Sequence, residues 1–256
     1  MELSDAVVVV TGAGNGIGAA MSRKFAQRGA KVVVNDLDAD AVREVAEEIG
    51  GLAVPGDAAG EDGVRQLVDA AIERHGRIDM FCANAGVAHN GGPEAPEELW
   101  AKSWEINVMA HVRAARAVLP HWLEQGHGHF LATVSAAGLL TMLGAAPYSV
   151  TKHGALAFAE WMSVTYGDRG VNVQALCPQG VRTNMLGSSG PDGEALLGPE
   201  AIEPEQVADE VLEALADERF LILPHHEVAG YYAGRAADPM RWQAGMRKLQ
   251  RGLDNA

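Results

Sequence analysis

The sequence carries only two cysteines in 256 residues, too few for the disulfide framework of a stapled secreted fold. It has no apolar run near the roughly 20 residues needed to span a bilayer. Met1 to Val10 hold no basic stretch, and the apolar run Ala6–Val10 has the length of a strand, not of a signal peptide. These absences predict a protein of the reducing cytoplasm. Positive charge is scarce as well. Against 34 Asp and Glu stand 20 Lys and Arg, a net charge of −14, which argues against general affinity for nucleic acid or an anionic membrane surface. Lysine occurs only at 24, 31, 102, 152 and 248. Glycine, by contrast, is abundant: 30 residues, against an average usage of about 7%.

Length and composition suit one large α/β domain. Ala6–Val10, Lys31–Asn35, Gly51–Val54, Ile78–Ala83, His129–Val134, Val171–Leu176 and Phe220–Leu223 read as strands. The first two are apolar on both faces, as in a parallel sheet covered on each side. Helical patterns lie between them over Ile17–Arg28, Ala39–Ile49, Asp62–His75, Glu97–His121 and Tyr148–Tyr166. Such alternation predicts a doubly wound parallel sheet. Residues 186–204, rich in Gly and Pro, exceed an ordinary connection and are expected to form a mobile functional loop.

The first strand runs into Thr11-Gly12-Ala13-Gly14-Asn15-Gly16-Ile17-Gly18. Glycines permit a tight turn and a close approach of backbone to a pyrophosphate, which the following helix N-terminus attracts. The second strand ends at Asp36-Leu37, where a carboxylate can accept hydrogen bonds from ribose hydroxyls. Asp57-Ala58, Asn84-Ala85-Gly86, Ser135 and Pro178 to Thr183 each follow a later strand. All therefore fall on the carboxyl-end rim, where open α/β sheets bind ligands. Tyr148 and Lys152 stand at i and i+4 near the start of a helix and share one face. An ammonium beside a phenol favours the phenolate, so a tuned Tyr148 can serve as acid or base near neutral pH.

Taken in order and spacing, these motifs resemble the short-chain dehydrogenases/reductases over about residues 4 to 224. The matching elements are Thr11-Gly12…Gly16-Ile17-Gly18, Asp57, Asn84-Ala85-Gly86, Asn107, Ser135, Tyr148-Ser149-Val150-Thr151-Lys152 and Pro178…Val181-Arg182-Thr183. The resemblance implies a Rossmann-type sheet of about seven strands and hydride exchange between a nicotinamide and an alcohol or carbonyl. It makes Tyr148 the acid/base, with Lys152 on the nicotinamide ribose and lowering the tyrosine pKa. Ser135 orients the substrate oxygen, and Asn107 holds a water for proton relay. The implied cofactor contacts are Gly12, Asn15, Gly16, Ile17, Gly18, Asp36, Leu37, Asp57, Ala58, Asn84, Ala85, Gly86, Tyr148, Lys152, Pro178, Gly180, Val181 and Thr183. Asp36, with no cation at Asn15 or Leu37, predicts NAD over NADP. No metal is expected; His225-His226-Glu227 lacks companion ligands at a suitable spacing.

Gln179 departs from the family's usual Gly, and Ala83 from its usual Asn. Residues 225–256 form a helical extension in place of a Gly-rich ending, helical over Glu227–Arg251. Trp242, Met246, Leu249 and Leu253 make an apolar stripe at i, i+4, i+7, i+11, expected to pack on the body or a second subunit. Leu139, Leu140, Met142, Leu143, Met185 and Leu186 are candidates for an apolar substrate pocket, hence a hydrophobic secondary alcohol or its ketone. Broad apolar faces around Trp104–Leu119 and Tyr148–Tyr166 exceed what one core needs, and the resemblance implies that they are buried in a homodimer or homotetramer. Strand five separates Cys82 from Cys177 in the implied order, so both are expected as core thiols. Two alternatives use less of the sequence. A methyltransferase of this architecture leaves Ser135, Tyr148 and Lys152 idle. A catalytically silent nucleotide-sensing or interaction protein has no need of Tyr148 or Lys152.

Overall fold

The structure, a computed structural model, describes residues 1–187 and 190–253. Its centre is a parallel sheet in the order β3-β2-β1-β4-β5-β6-β7. The strands are β1 (Val7–Thr11), β2 (Lys31–Asn35), β3 (Leu52–Ala53), β4 (Met80–Ala83), β5 (Gly128–Thr133), β6 (Val171–Leu176) and β7 (Leu221–Ile222). The helices are α1 (Gly16–Gln27), α2 (Ala39–Ile49), α3 (Glu61–His75), α4 (Glu97–Trp104), α5 (Ala110–Gln125), α6 (Ala137–Leu140), α7 (Ala146–Tyr166), α8 (Asn184–Gly187), α9 (Gly190–Leu197), α10 (Pro204–Asp217), α11 (Glu227–Ala237) and α12 (Pro239–Leu253). None of the described helices is long and apolar enough to cross a membrane.

The valine runs explain both cores. Side chains alternate across a strand, so Val9 of β1 joins Val33, Leu67, Phe81, Trp122 and Phe130 on one face. Val8 and Val10 join Met21, Phe25, Val45, Val207 and Val211 on the other. Each fully buried Val contributes about 1.5–3 kcal/mol, and β1 is buried along its whole length. Both faces are covered, by α3, α5 and α7 on one side and α1, α2 and α10 on the other. The order reverses between β1 and β4. The two connections leave in opposite directions there and open a crevice at the strands' carboxyl ends.

Three segments differ from the sequence expectation. The span Glu97–His121 is one rod interrupted by a π-helical turn over Glu105–Met109. Such turns mark functional positions, and Asn107 lies inside this one. The C-terminal segment is two helices, because Pro239 disfavours a helical Asp238 and starts α12 instead. The stretch 186–204, expected as a loop, contains α9. Its far end is fastened: Ile202 N–H donates to Gly180 O at 3.1 Å, and Arg182 N–H donates to Ile202 O at 2.9 Å. Residues 188 and 189, part of that expected loop, lie outside the described residues.

Candidate active site

The glycine turn fits against β4 through backbone. Gly12 has φ +63°, and a Cβ there would stand 2.9 Å from Ala85 Cα. A Cβ on Gly18 would stand 2.2 Å from Gly12 O, so Gly18 lets α1 sit on β1. Thr11 Oγ1 accepts from Asn84 N–H at 3.0 Å and Ala85 N–H at 3.1 Å. Asn84 Nδ2 donates to Thr11 O at 2.9 Å, and Thr133 Oγ1 donates to Asn84 Oδ1 at 3.0 Å. These bonds lock the ends of β1, β4 and β5 into one rim. Asn15 makes no side-chain cap on α1. The first-turn amides of a helix have no intrahelical acceptor, and the dipole's positive end lies with them. By contrast α2 is capped by Asp38, which accepts from Asp40 and Ala41 N–H, each at 3.1 Å.

The rim opens into a cavity of about 1330 Å³, above the roughly 300–1,000 Å³ of a single small-ligand pocket. It has room for a dinucleotide and a substrate together. Its lining includes Gly12, Asn15, Gly16, Ile17, Asp36, Leu37, Asp57, Ala58, Asn84, Ala85 and Gly86. Ser135, Tyr148, Lys152, Pro178, Gly180, Val181 and Thr183 also line it. Of the residues expected to bind the cofactor or carry the chemistry, Gly18 and Asn107 alone do not line it. Asp36 Oδ2 accepts from Gly14 N–H at 3.0 Å, which fixes the carboxylate beside the turn.

The polar chemistry gathers where β5 meets α7. Ser135 is buried; its Oγ accepts from Ala137 N–H at 3.1 Å and donates to Pro178 O at 3.4 Å. Tyr148 sits in the first turn of α7, half-buried. Lys152, one turn on, is buried; its Nζ donates to Thr133 O at 2.9 Å and lies 5.7 Å from the centroid of the Tyr148 ring. A Cβ on Gly86 would come within 3.4 Å of that Nζ, so glycine keeps this corner open. The electrostatics depart from expectation. Desolvation pushes the Tyr148 phenol above its ordinary value, with the Ser135 hydroxyl pulling the other way. Burial depresses the Lys152 ammonium to about 8. Lys152 was expected to lower the tyrosine; here its nitrogen donates to the Thr133 carbonyl, and desolvation is the largest influence on the phenol.

Asn107 is fully buried in the π-helical turn. Its Oδ1 accepts from Val87 N–H at 2.9 Å. Its Nδ2 donates to Val87 O at 2.9 Å and to Thr151 Oγ1 at 3.0 Å. Its side chain therefore fastens the segment after β4 to the first turns of α7, instead of presenting a group to the cavity.

Residues 6–194 match the family model described as short chain dehydrogenase. The chain belongs to that family. A 1-deoxy-11-beta-hydroxypentalenate dehydrogenase from Streptomyces exfoliatus is 37% identical over 237 residues, covering 89% of this chain and 86% of that protein. A meso-2,3-butanediol dehydrogenase from Serratia marcescens is 33% identical over 217 residues, covering 81% and 86%. Among solved structures, a short chain dehydrogenase/reductase from Burkholderia phymatum in complex with NAD superposes with a TM-score of 0.86 at 28% identity, covering 93% of this chain and 95% of that one. The protein is thus a hydride-transfer oxidoreductase acting on alcohols with a nicotinamide cofactor. The glycine turn, the uncapped α1 and the cavity's size fit that cofactor. When bound, it supplies the carbon that accepts or returns the hydride.

In this short chain dehydrogenase the sequence reading missed one wall of the cavity. Tyr231 of α11 and Arg241, Trp242, Met246, Lys248 and Leu249 of α12 line it. The stripe Trp242, Met246, Leu249 was visible, but its partner is the cavity. Leu253 of that stripe is not in the lining. Leu140, Met142, Leu143, Met185 and Leu186 also line the cavity, whereas Leu139, expected beside them, is buried in the core. Gln179 lines the cavity too, and its Nε2 donates to Glu227 Oε1 at 3.1 Å. It therefore ties the Pro178–Val181 segment to the start of α11. Cys82 and Cys177 are free and buried. Among the described residues no group of three His, Cys, Asp or Glu could hold a metal ion.

Proposed function

We propose that this short chain dehydrogenase interconverts a hydrophobic secondary alcohol and its ketone, with NAD as the hydride carrier. One observation carries the reading. Ser135, Tyr148 and Lys152 face the same cavity as the glycine turn and Asp36, and the surface between is mainly aliphatic and aromatic. Tyr148 holds the proton exchanged with the substrate oxygen. Ser135 orients that oxygen. Lys152 places a charge beside the ring and a donor toward the ribose. Gly12, Asn15, Gly16, Ile17 and Thr183 hold the phosphates, with Gly18 shaping the turn. Asp36 and Leu37 take the adenosine ribose, and Asp57 and Ala58 the adenine end. Asn84, Ala85, Gly86, Pro178, Gly180 and Val181 enclose the nicotinamide half. Asn107 positions α7. In a nicotinamide-absorbance assay across secondary alcohols of graded size and polarity, turnover is expected to rise with apolar bulk. Fast turnover of small polyols alone would overturn the substrate class, and none with any alcohol would favour the silent nucleotide-binding alternative.

We propose further that the protein works in the cytoplasm as a homo-oligomer through α4 and α7. Trp104 is 44% exposed, Val150 50%, Trp161 55% and Val164 82%, an apolar surface whose burial association would gain. Sedimentation at micromolar concentration should give at least twice the 27.0 kDa of one chain. A mass near one chain would refute the assembly.

A further inference from the structure

The wall made by α12 carries more than the apolar stripe. A second stripe runs beside it: Arg241, Gly245, Lys248 and Gly252, at i, i+4, i+7 and i+11, all lining the cavity. A Cβ built on Gly245 meets nothing within 4 Å, so no side chain fills the space between the two cations. Neither cation forms an ion pair within 4.0 Å among the described residues. Elsewhere this acidic protein pairs its cations readily, as in Lys24 with Asp209 and Arg113 with Glu105, both at 2.6 Å. The acid on this wall is Asp238, whose Oδ1 accepts from Arg241 N–H at 2.9 Å at the start of α12. On this wall, two cations and one carboxylate leave a single positive charge facing the cavity.

The wall is held in register with the site. Gln179 bonds Glu227 at the start of α11. Near its end, Arg235 donates to Leu139 O and meets His153 Nε2 on α7. Trp242 packs onto the main core. Both helices are thereby anchored to the elements that carry Ser135, Tyr148 and Pro178.

We infer that α12 selects an amphipathic substrate: an apolar body lies against Trp242, Met246 and Leu249, and a carboxylate is held by Arg241 and Lys248. The inference rests on the reading of the cavity as an alcohol dehydrogenase site and narrows its substrate class. A net charge of one suits a monoanion, and the guanidinium fork matches a carboxylate's two oxygens. A protein of net charge −14 repels anions in general. Two unpaired cations at one end of an apolar cavity therefore act as a local exception.

The test uses secondary hydroxy acids of graded chain length, each beside its own methyl ester. The wild type should oxidise the acid of the fitting length with kcat/KM about tenfold above that of its ester. The difference should lie in KM, since the carboxylate contact is the same before and during hydride transfer. It should shrink as salt is added, because both cations are solvent-exposed. In Arg241→Gln/Lys248→Gln the ratio of acid to ester should fall to about one. Equal use of acid and ester by the wild type, or a preference that survives in the double variant, would overturn the inference while the dehydrogenase reading stands. If neither compound is oxidised, that reading fails, and binding decides the inference separately. Decanoate should quench tryptophan fluorescence at lower concentration than decanol in the wild type only; equal quenching would sink it.

Discussion

Tyr148→Phe is expected to cut turnover by about a thousandfold in either direction, while NADH binding followed by fluorescence stays near the wild-type value. The substitution removes one oxygen and leaves the ring, so the packing of α7's first turn persists. A positioned acid or base contributes about 10²–10⁴-fold, and Tyr148 is the cavity's titratable hydroxyl beside Ser135. Its environment fixes the pH dependence. Desolvation holds the phenol above its ordinary value, so at neutral pH it keeps its proton. A protonated phenol can donate to a carbonyl. Ketone reduction should therefore run at neutral pH and decline as pH rises through the phenol's pKa. Oxidation needs the phenolate and should climb on the alkaline side. Lys152→Ala should lower kcat and raise the cofactor KM together, because one nitrogen serves both ring and ribose. Retention of even a tenth of wild-type activity by Tyr148→Phe would remove Tyr148 from the role of acid/base.

The sequence made the sheet legible because each signal there is local. Four successive valines in β1 suit a strand buried on both faces, as in a covered parallel sheet, and β1 is the third of seven strands. The glycine turn was legible because backbone approach admits no other residue at Gly12 or Gly18. What sequence could not supply was desolvation and distant packing. Spacing placed Lys152 beside Tyr148, but whether an ammonium lowers a phenol's pKa depends on what else surrounds it. Here Thr133 O takes the ammonium, and burial raises the phenol. The role of α12 was hidden for a similar reason. Its stripe reads the same whether it packs on a core, a second subunit or a cavity. Only the path of the chain after Pro239 brings it over a site whose expected catalytic and cofactor residues come from the first 183 positions. Asn107 had the opposite fate. Its presence within a helical pattern was anomalous, and the anomaly is the π-helical turn that lets its side chain reach Val87.

Preference for NAD over NADP should be at least about 100-fold in kcat/KM, which corresponds to about 2.7 kcal/mol. The expectation rests on Asp36. Its Oδ2 is held by Gly14 N–H at 3.0 Å, and its Oδ1 accepts from Asp38 N–H at 3.3 Å. The carboxylate is thus fixed where β2 ends, on the lining of the cavity. Ribose hydroxyls donate to such a group. A 2′-phosphate meets it as a like charge, and such juxtapositions cost several kcal/mol. The positions expected to supply an offsetting cation carry none. Asn15 and Leu37 are uncharged, and Leu37 is 73% exposed. Arg43, the next cation along the chain, is engaged on the surface of α2 with Asp40 at 2.6 Å. Asp36→Ala/Leu37→Arg removes the negative charge and adds a positive one beside it. In kinetics with one alcohol and each cofactor in turn, the double variant should lose the preference or reverse it. Part of its loss with NAD comes from freeing Gly14 N–H, so the ratio between cofactors, rather than either rate, is the measure. Equal use of both cofactors by the wild type would show that Asp36 serves the glycine turn alone and does not meet the ribose.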